Sequence, residues 1–126
     1  MHLSDSLFIG LLLHLCGDYL LQNHYLSQQK TQAHIPALIH AGIYGVLFLS
    51  IISPALAFVV FATHFFIDRY RLAVYWIKLV NWNFQSSNFG FPEDVPKFLS
   101  IWLMIIIDNI FHISINSLCI WAHFAR

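Results

Sequence analysis

Four apolar stretches, each closed by a short polar or proline-bearing signal, dominate this chain, and that rhythm reads as helices packed in an apolar solvent. The first helix is expected over about residues 6–29, with Ser4, Asp5 or Ser6 as its cap. Its apolar part gives way to Gln22-Asn23-His24 and then to Ser27-Gln28-Gln29-Lys30. Pro36 suits the first turn of a second helix over about 35–50. Ser53-Pro54 repeats a start signal, so helices two and three form a tight antiparallel hairpin. The third helix, about 54–80, is apolar to Ile67, carries Asp68-Arg69-Tyr70-Arg71, and turns apolar again at Leu72. Its first apolar part spans only about 22 Å, short of a hydrocarbon core. It therefore either runs on to about Val80 or bends there along an interface. Residues 81–96 form the one long loop, and a fourth helix is expected over about 95–124 with Asp94 as its cap.

Composition decides the solvent. Charged residues make up 10% of the 126 and hydrophobic ones 59%, with six Lys and Arg balancing six Asp and Glu. A soluble domain carries about 25% charge, and so few charges cannot cover a wet surface. A disordered chain would be polar and charge-rich, and a nucleic-acid partner would need a basic excess. The reading is an all-α, integral membrane four-helix bundle forming one domain over 1–126. The first apolar run lacks a basic leader and a small-residue cleavage site, so it reads as a retained membrane helix. Cys16 and Cys119 lie in apolar runs as buried hydrophobes. Four spans put both termini on one side. Lys30, Arg69, Arg71, Lys78 and Lys97 fall on the other, against Arg126 alone with the termini, which makes the richer side cytoplasmic. Trp76, Trp82, Phe84, Phe89 and Phe91 suit either a membrane interface or a loop packed over the helices.

Three of the five Asp sit inside apolar helices, each four residues from a His: His14 and Asp18, His64 and Asp68, Asp108 and His112. That offset puts both side chains on one helix face, one turn apart. No other His–Asp pair in the chain has this spacing. Helices one and three read His then Asp, whereas helix four runs the other way and reads Asp then His. The two reversals cancel, so the three Asp form a layer nearer the cytoplasmic side and the three His lie one turn deeper. His40 and Gln22 fall near the Asp layer, and Asn109 and Asn116 add polar groups on helix four.

Ionisable groups inside a membrane are costly and are normally paired or functional. Three close carboxylates repel unless a cation sits among them. Carboxylates and imidazoles from facing helices are how helix bundles build metal sites. The expected ligands are His14, Asp18, His64, Asp68, Asp108 and His112, around one or two divalent ions of Zn, Mn, Fe or Mg. A proton or ion pathway and a structural polar network are the alternatives. Arg69 reads either as a snorkelling topology residue or as a clamp for a phosphate.

The ordered set His14-Leu-Cys-Gly-Asp18-Tyr-Leu-Leu-Gln22, Lys30, Leu38-Ile-His40-Ala-Gly-Ile-Tyr44, His64-Phe-Phe-Ile-Asp68 and Asp108-Asn109-Ile-Phe-His112 resembles a family of small bacterial and phage integral membrane proteins of unknown function. The resemblance covers nearly the whole chain and departs at Asn109, where that family carries Gln. It implies a bacterial inner-membrane location, with periplasmic termini on the charge count above. It marks His14, Asp18, Gln22, His40, His64, Asp68, Asp108 and His112 as the matching positions. A looser similarity to inner-membrane proteins described as metal-dependent hydrolases points to hydrolysis of a phosphoester or lipid-linked substrate at the cytoplasmic leaflet. In that reading His40 or a free carboxylate serves as general base and Arg69 neutralises the substrate's anion. The alternatives are a non-enzymatic membrane interaction factor with a structural polar network and, as an oligomer, a carrier of protons or metal ions. Expected partners are the lipid bilayer and a homodimer mate or membrane protein, with no nucleic acid.

Overall fold

The computed structural model describes residues 1–125 and is helical throughout. Its elements are α1 (Leu3–Leu15), α2 (His24–Gln29), α3 (His34–Phe48), α4 (Pro54–Arg69), α5 (Leu72–Val80) and α6 (Lys97–Phe124), with no β-strand among the described residues. A π-helical turn, Cys16–Leu20, extends α1. Two stretches are long and apolar enough to cross a membrane, Leu3–Leu20 and Lys97–Phe124.

The first expected helix is broken in two. Asn23 accepts a hydrogen bond from the Leu26 backbone N–H at 2.8 Å and so caps a new helix, α2. The third expected helix breaks as well. Arg71 stands in the left-handed region at φ 52° between α4 and α5, and an L residue there ends a right-handed helix. Asp94 does not cap the last helix. Pro96 holds that position and α6 begins at Lys97, because Pro96 has no N–H to satisfy. Helix α1 starts ahead of its expected caps, at Leu3, with the Asp5 carboxylate accepting from the His2 backbone N–H.

Helices α1, α3, α4 and α6 pack around a common interior, with α3 on α4, α4 on α6, α6 on α1 and α1 on α3. The 49–53 turn, the start of α1 and the end of α6 share one end. There the Ser53 backbone N–H donates to His123 Nδ1 at 3.3 Å, and Leu3 packs beside Ile51, Ile52 and Ile120. Phe48, Val60 and Cys119 complete that apolar core. Helix α2, the α4–α5 break and loop 81–96 share the opposite end, where Arg69 donates to Thr31 O at 3.1 Å and to His34 Nδ1 at 3.2 Å.

Loop 81–96 is folded on its own polar side chains. Asn88 donates to the Pro92 and Val95 carbonyls at 3.0 and 2.9 Å, and Glu93 accepts from the Ser87 backbone and hydroxyl. Those Ser87 hydrogen bonds lower the Glu93 pKa. Gly90, at φ 96°, lies flat on α5, where a Cβ would come within 2.6 Å of the Lys78 nitrogen. The loop aromatics divide between the two expected roles. Trp76, Trp82 and Phe84 are exposed, while Phe89 and Phe91 turn inward and are half-buried.

Beside the apolar core, polar side chains lie inside and large apolar ones outside. His14, His40, His64 and His112 rank among the largest fully buried side chains, whereas Phe8, Phe58, Trp102, Leu118 and Trp121 are exposed. Only 11% of the apolar window of α6 is buried.

Candidate metal centre

The centre lies toward the end of the packed helices opposite the 49–53 turn, where four elements each offer a ligand atom. The π-helical turn after α1 carries Asp18. It has one more residue per turn than an α-helix, and such turns recur at functional sites. Gly17 in the same turn lets the backbone approach Tyr44, since a Cβ would fall 2.6 Å from the ring. Asp18 thereby reaches two helices. Its Oδ1 is 3.1 Å from His40 Nε2 on α3 and 3.3 Å from His64 Nε2 on α4. One turn past His64, Asp68 Oδ2 is 3.2 Å from His64 Nε2 and 3.3 Å from His40 Nε2. The two imidazole nitrogens are 2.9 Å apart.

Five of the six separations among these four atoms thus lie between 2.9 and 3.3 Å. An ion at the centre of a tetrahedron of such edges stands roughly 2.0 Å from each corner, which is the bond length of zinc to imidazole and carboxylate. Asp18, His40, His64 and Asp68, all buried, form one group able to hold a metal ion. Asp68, Asp108 and His112 form a second. In that second group His112 Nε2 is 3.0 Å from Asp68 Oδ1 and 3.3 Å from Asp108 Oδ2. Asp68 belongs to both, with Oδ2 toward the first and Oδ1 toward the second, the posture of a bridging carboxylate.

His14 lies outside both groups. Its nitrogens hydrogen-bond to other partners, Nδ1 to the Tyr44 hydroxyl at 2.7 Å and Nε2 to Asn109 Oδ1 at 2.8 Å, while Nδ1 also stands 3.4 Å from Asp18 Oδ2. Asn109 Nδ2 donates onward to the Tyr19 hydroxyl at 2.6 Å, and Asn116 Nδ2 donates to the Tyr44 hydroxyl at 2.5 Å. Each donor meets an acceptor along this chain when Tyr44 donates to His14 and His14 donates to Asn109. The Tyr44 ring in turn stacks on His64, with centroids 3.8 Å apart. Asn109, Asn116 and His14 therefore position the centre from behind, with Tyr44 as the link that spacing alone did not single out.

His40, expected as general base, stands inside the first ligand group. Arg69, expected as the anion clamp, is tied to Thr31 and His34 and is absent from the cavity wall. Lys30 takes a place at the site instead. Its ammonium is 2.8 Å from Asp68 Oδ2 and 3.3 Å from His40 Nε2. Burial alone would lower the Lys30 pKa, but the neighbouring Asp68 and Asp18 carboxylates outweigh it and raise the value above that of an ordinary lysine. In sequence Lys30 reads as a topology charge. Only the fold of the α1–α2 break brings it over the carboxylates.

Beside the centre opens a cavity of about 540 Å³. Asp18, Asp68 and Asp108 all line it, and the histidines do not. The rings of His14, His64 and His112 lie close together, with His112 centred 5.8 Å from His14 and 4.1 Å from His64. Gln22 also lines the cavity, with its Oε1 buried and without a protein partner among the described residues.

The model of a family described as a protein of unknown function, DUF3307, matches residues 7–125. No curated protein and no solved structure shows a match to the chain.

Proposed function

We infer the function of this chain, which belongs to the DUF3307 family, from its site. It is a membrane-embedded protein with a two-ion centre, and it hydrolyses a phosphoester in a lipid or lipid-linked substrate at the cytoplasmic leaflet of the bacterial inner membrane. The observation that carries the reading is the buried Asp68, whose two oxygens face two separate ligand groups. Asp18, His40, His64 and Asp68 would hold one divalent ion and Asp68, Asp108 and His112 a second. Such ions would supply Lewis-acid polarisation of a phosphoryl oxygen and a nucleophile at neutral pH. Asp108, the least buried of the three carboxylates, also faces the cavity.

The membrane location rests on the inverted burial pattern. Four buried histidines and two buried aspartates inside an apolar exterior match the economy of a protein in lipid, where polar groups face inward and pair. Lys30, Arg69, Arg71, Lys78 and Lys97 gather toward the end where the cavity opens, which supports a cytoplasmic face there.

The test is metal content of the detergent-purified protein, beside an Asp68→Asn variant shown to be monodisperse. Near-stoichiometric metal in the parent, lost in the variant, is the expected result. A parent that stays metal-free after supplementation overturns the reading. One observation favours a second reading, a structural polar network, because the Lys30 ammonium already sits 2.8 Å from Asp68 Oδ2 as an internal cation. In that case the parent holds no metal, and Lys30→Gln lowers its thermal stability as strongly as Asp68→Asn.

A further inference from the structure

The lining of the cavity beside the centre is of two kinds: the three carboxylates with Lys30 and Arg71, and the apolar side chains of Val74 on α5 and Ile101 and Ile105 on α6. Arg71 is the unusual member. It is a non-glycine residue in the left-handed region, a conformation that glycine adopts at no steric cost. Its guanidinium lies 5.3 Å from the centre of the Phe89 ring, with Nη2 3.6 Å from Met104 Sδ. Among the described residues no carboxylate or carbonyl accepts from it, so a group built to bind oxygen anions bidentately faces the cavity with a ring and a thioether as its company. Loop 81–96 is folded so that Phe89 covers it.

Charge counting points the same way. With the histidines neutral, three carboxylates against Lys30 and Arg71 leave the cavity wall one negative charge. A single divalent ion makes it positive, and a second makes it strongly so. A metal-loaded cavity therefore attracts an anion, with the two side-chain cations poised on its rim. The Lys30 ammonium stands 2.8 Å from Asp68 Oδ2, so an ion held by that oxygen would repel it and free it for that anion.

We propose that this cavity seats an anionic lipid with a terminal phosphate monoester, its phosphate between Lys30 and Arg71 and its acyl chain along the α5–α6 wall. The proposal deepens the metal-centre reading and rests on it for the positive charge. A monoester fits better than a diester, because its second negative charge answers the second side-chain cation. The apolar wall separates a lipid from free phosphate, since a small anion gains nothing from Val74, Ile101 and Ile105.

The experiment measures equilibrium binding of phosphatidate and phosphatidylcholine to the purified full-length protein, metal-loaded and chelated, with metal stoichiometry recorded on every sample. Arg71→Gly is the primary variant, because glycine keeps the left-handed backbone while removing the guanidinium; Arg71→Gln is the second. The expected result is a preference for phosphatidate that falls about tenfold in both variants, with metal stoichiometry unchanged, and falls again on chelation. Equal binding of the two lipids, or no effect of either Arg71 variant in a metal-loaded protein, overturns the proposal and leaves the metal centre standing. Competition by glycerol 3-phosphate or inorganic phosphate as strong as by phosphatidate overturns the lipid part. A parent without metal that still binds phosphatidate through Arg71 keeps the anion seat and overturns the metal reading.

Discussion

The two ends of the packed helices differ in regularity as well as in polarity. At the end shared by the 49–53 turn, Phe48, Ile51, Ile52, Val60 and Ile120 meet in an apolar core, and the helices around them are unbroken. Toward the other end lie the π-helical turn at Cys16–Leu20, the gap at 21–23, the left-handed Arg71 and loop 81–96. Every one of these interruptions borders the cavity or the ligand groups. Apolar packing needs only a stripe of the right shape, which a regular helix supplies. A polar centre needs individual atoms at set distances, and a regular helix cannot always deliver them, so the backbone departs from regularity there. One half of the molecule is organised for packing and the other for chemistry.

This contrast can be broken from either side. The largest effect is expected from Asp68→Asn, which removes the carboxylate common to both ligand groups. Metal analysis should find both ions lost, whereas Asp108→Asn should lose one; equal losses would mean the groups are not separate. Phe48→Ala comes next. It empties a fully buried site at the regular end and should lower stability by about 3–5 kcal/mol in thermal unfolding, with metal stoichiometry retained. Loss of metal there would show that the two halves are not independent. Tyr44→Phe bridges them. It leaves His14 Nδ1 and the Asn116 amide without their partner and should weaken metal affinity about tenfold in a competition titration with a chelator. The smallest effect is expected from Arg69→Ala, a half-buried tie between α4 and the α2–α3 connection. It should cost no more than about 1 kcal/mol and leave lipid binding unchanged, in contrast with Arg71→Gly. An Arg69 variant that abolishes lipid binding would move the anion seat to the other side of the α4–α5 break.

Much of the helical framework is readable from the chain. Pro36 and Pro54 fall in first turns, the hairpin between α3 and α4 is short, and the polar stretch after Leu21 does end a helix. The 3.6-residue period and the fixed geometry of proline act locally, so sequence carries them. The grouping of His64, Asp68, Asp108 and His112 is equally local in origin, because a four-residue offset on two antiparallel helices aligns the pairs without knowledge of side-chain packing. The exchange between His14 and His40 is not local. His14 has the right spacing from Asp18 and its Nδ1 stands 3.4 Å from Asp18 Oδ2, but its hydrogen bonds go to Tyr44 and Asn109, residues 30 and 95 positions away. His40 has no carboxylate at helical spacing and reaches Asp18 and Asp68 across helix boundaries. Lys30 and Arg71 carried only the meaning of topology charges until the breaks in α1 and α4 turned them toward the cavity.

By itself, the order of amino acids determined that this chain is helical, that only 10% of it is charged, and that His and Asp recur one helical turn apart. Those are properties of composition and of a period that every α-helix shares. Tertiary structure alone decided which nitrogen of which histidine faces Asp68, and which of two neighbouring arginines faces the cavity. Both outcomes depend on the rotation of one helix against another, set here by a single π-helical turn and a single left-handed residue. At the few ångströms that separate a ligand from a bystander, such a rotation outweighs anything spacing along the chain can specify.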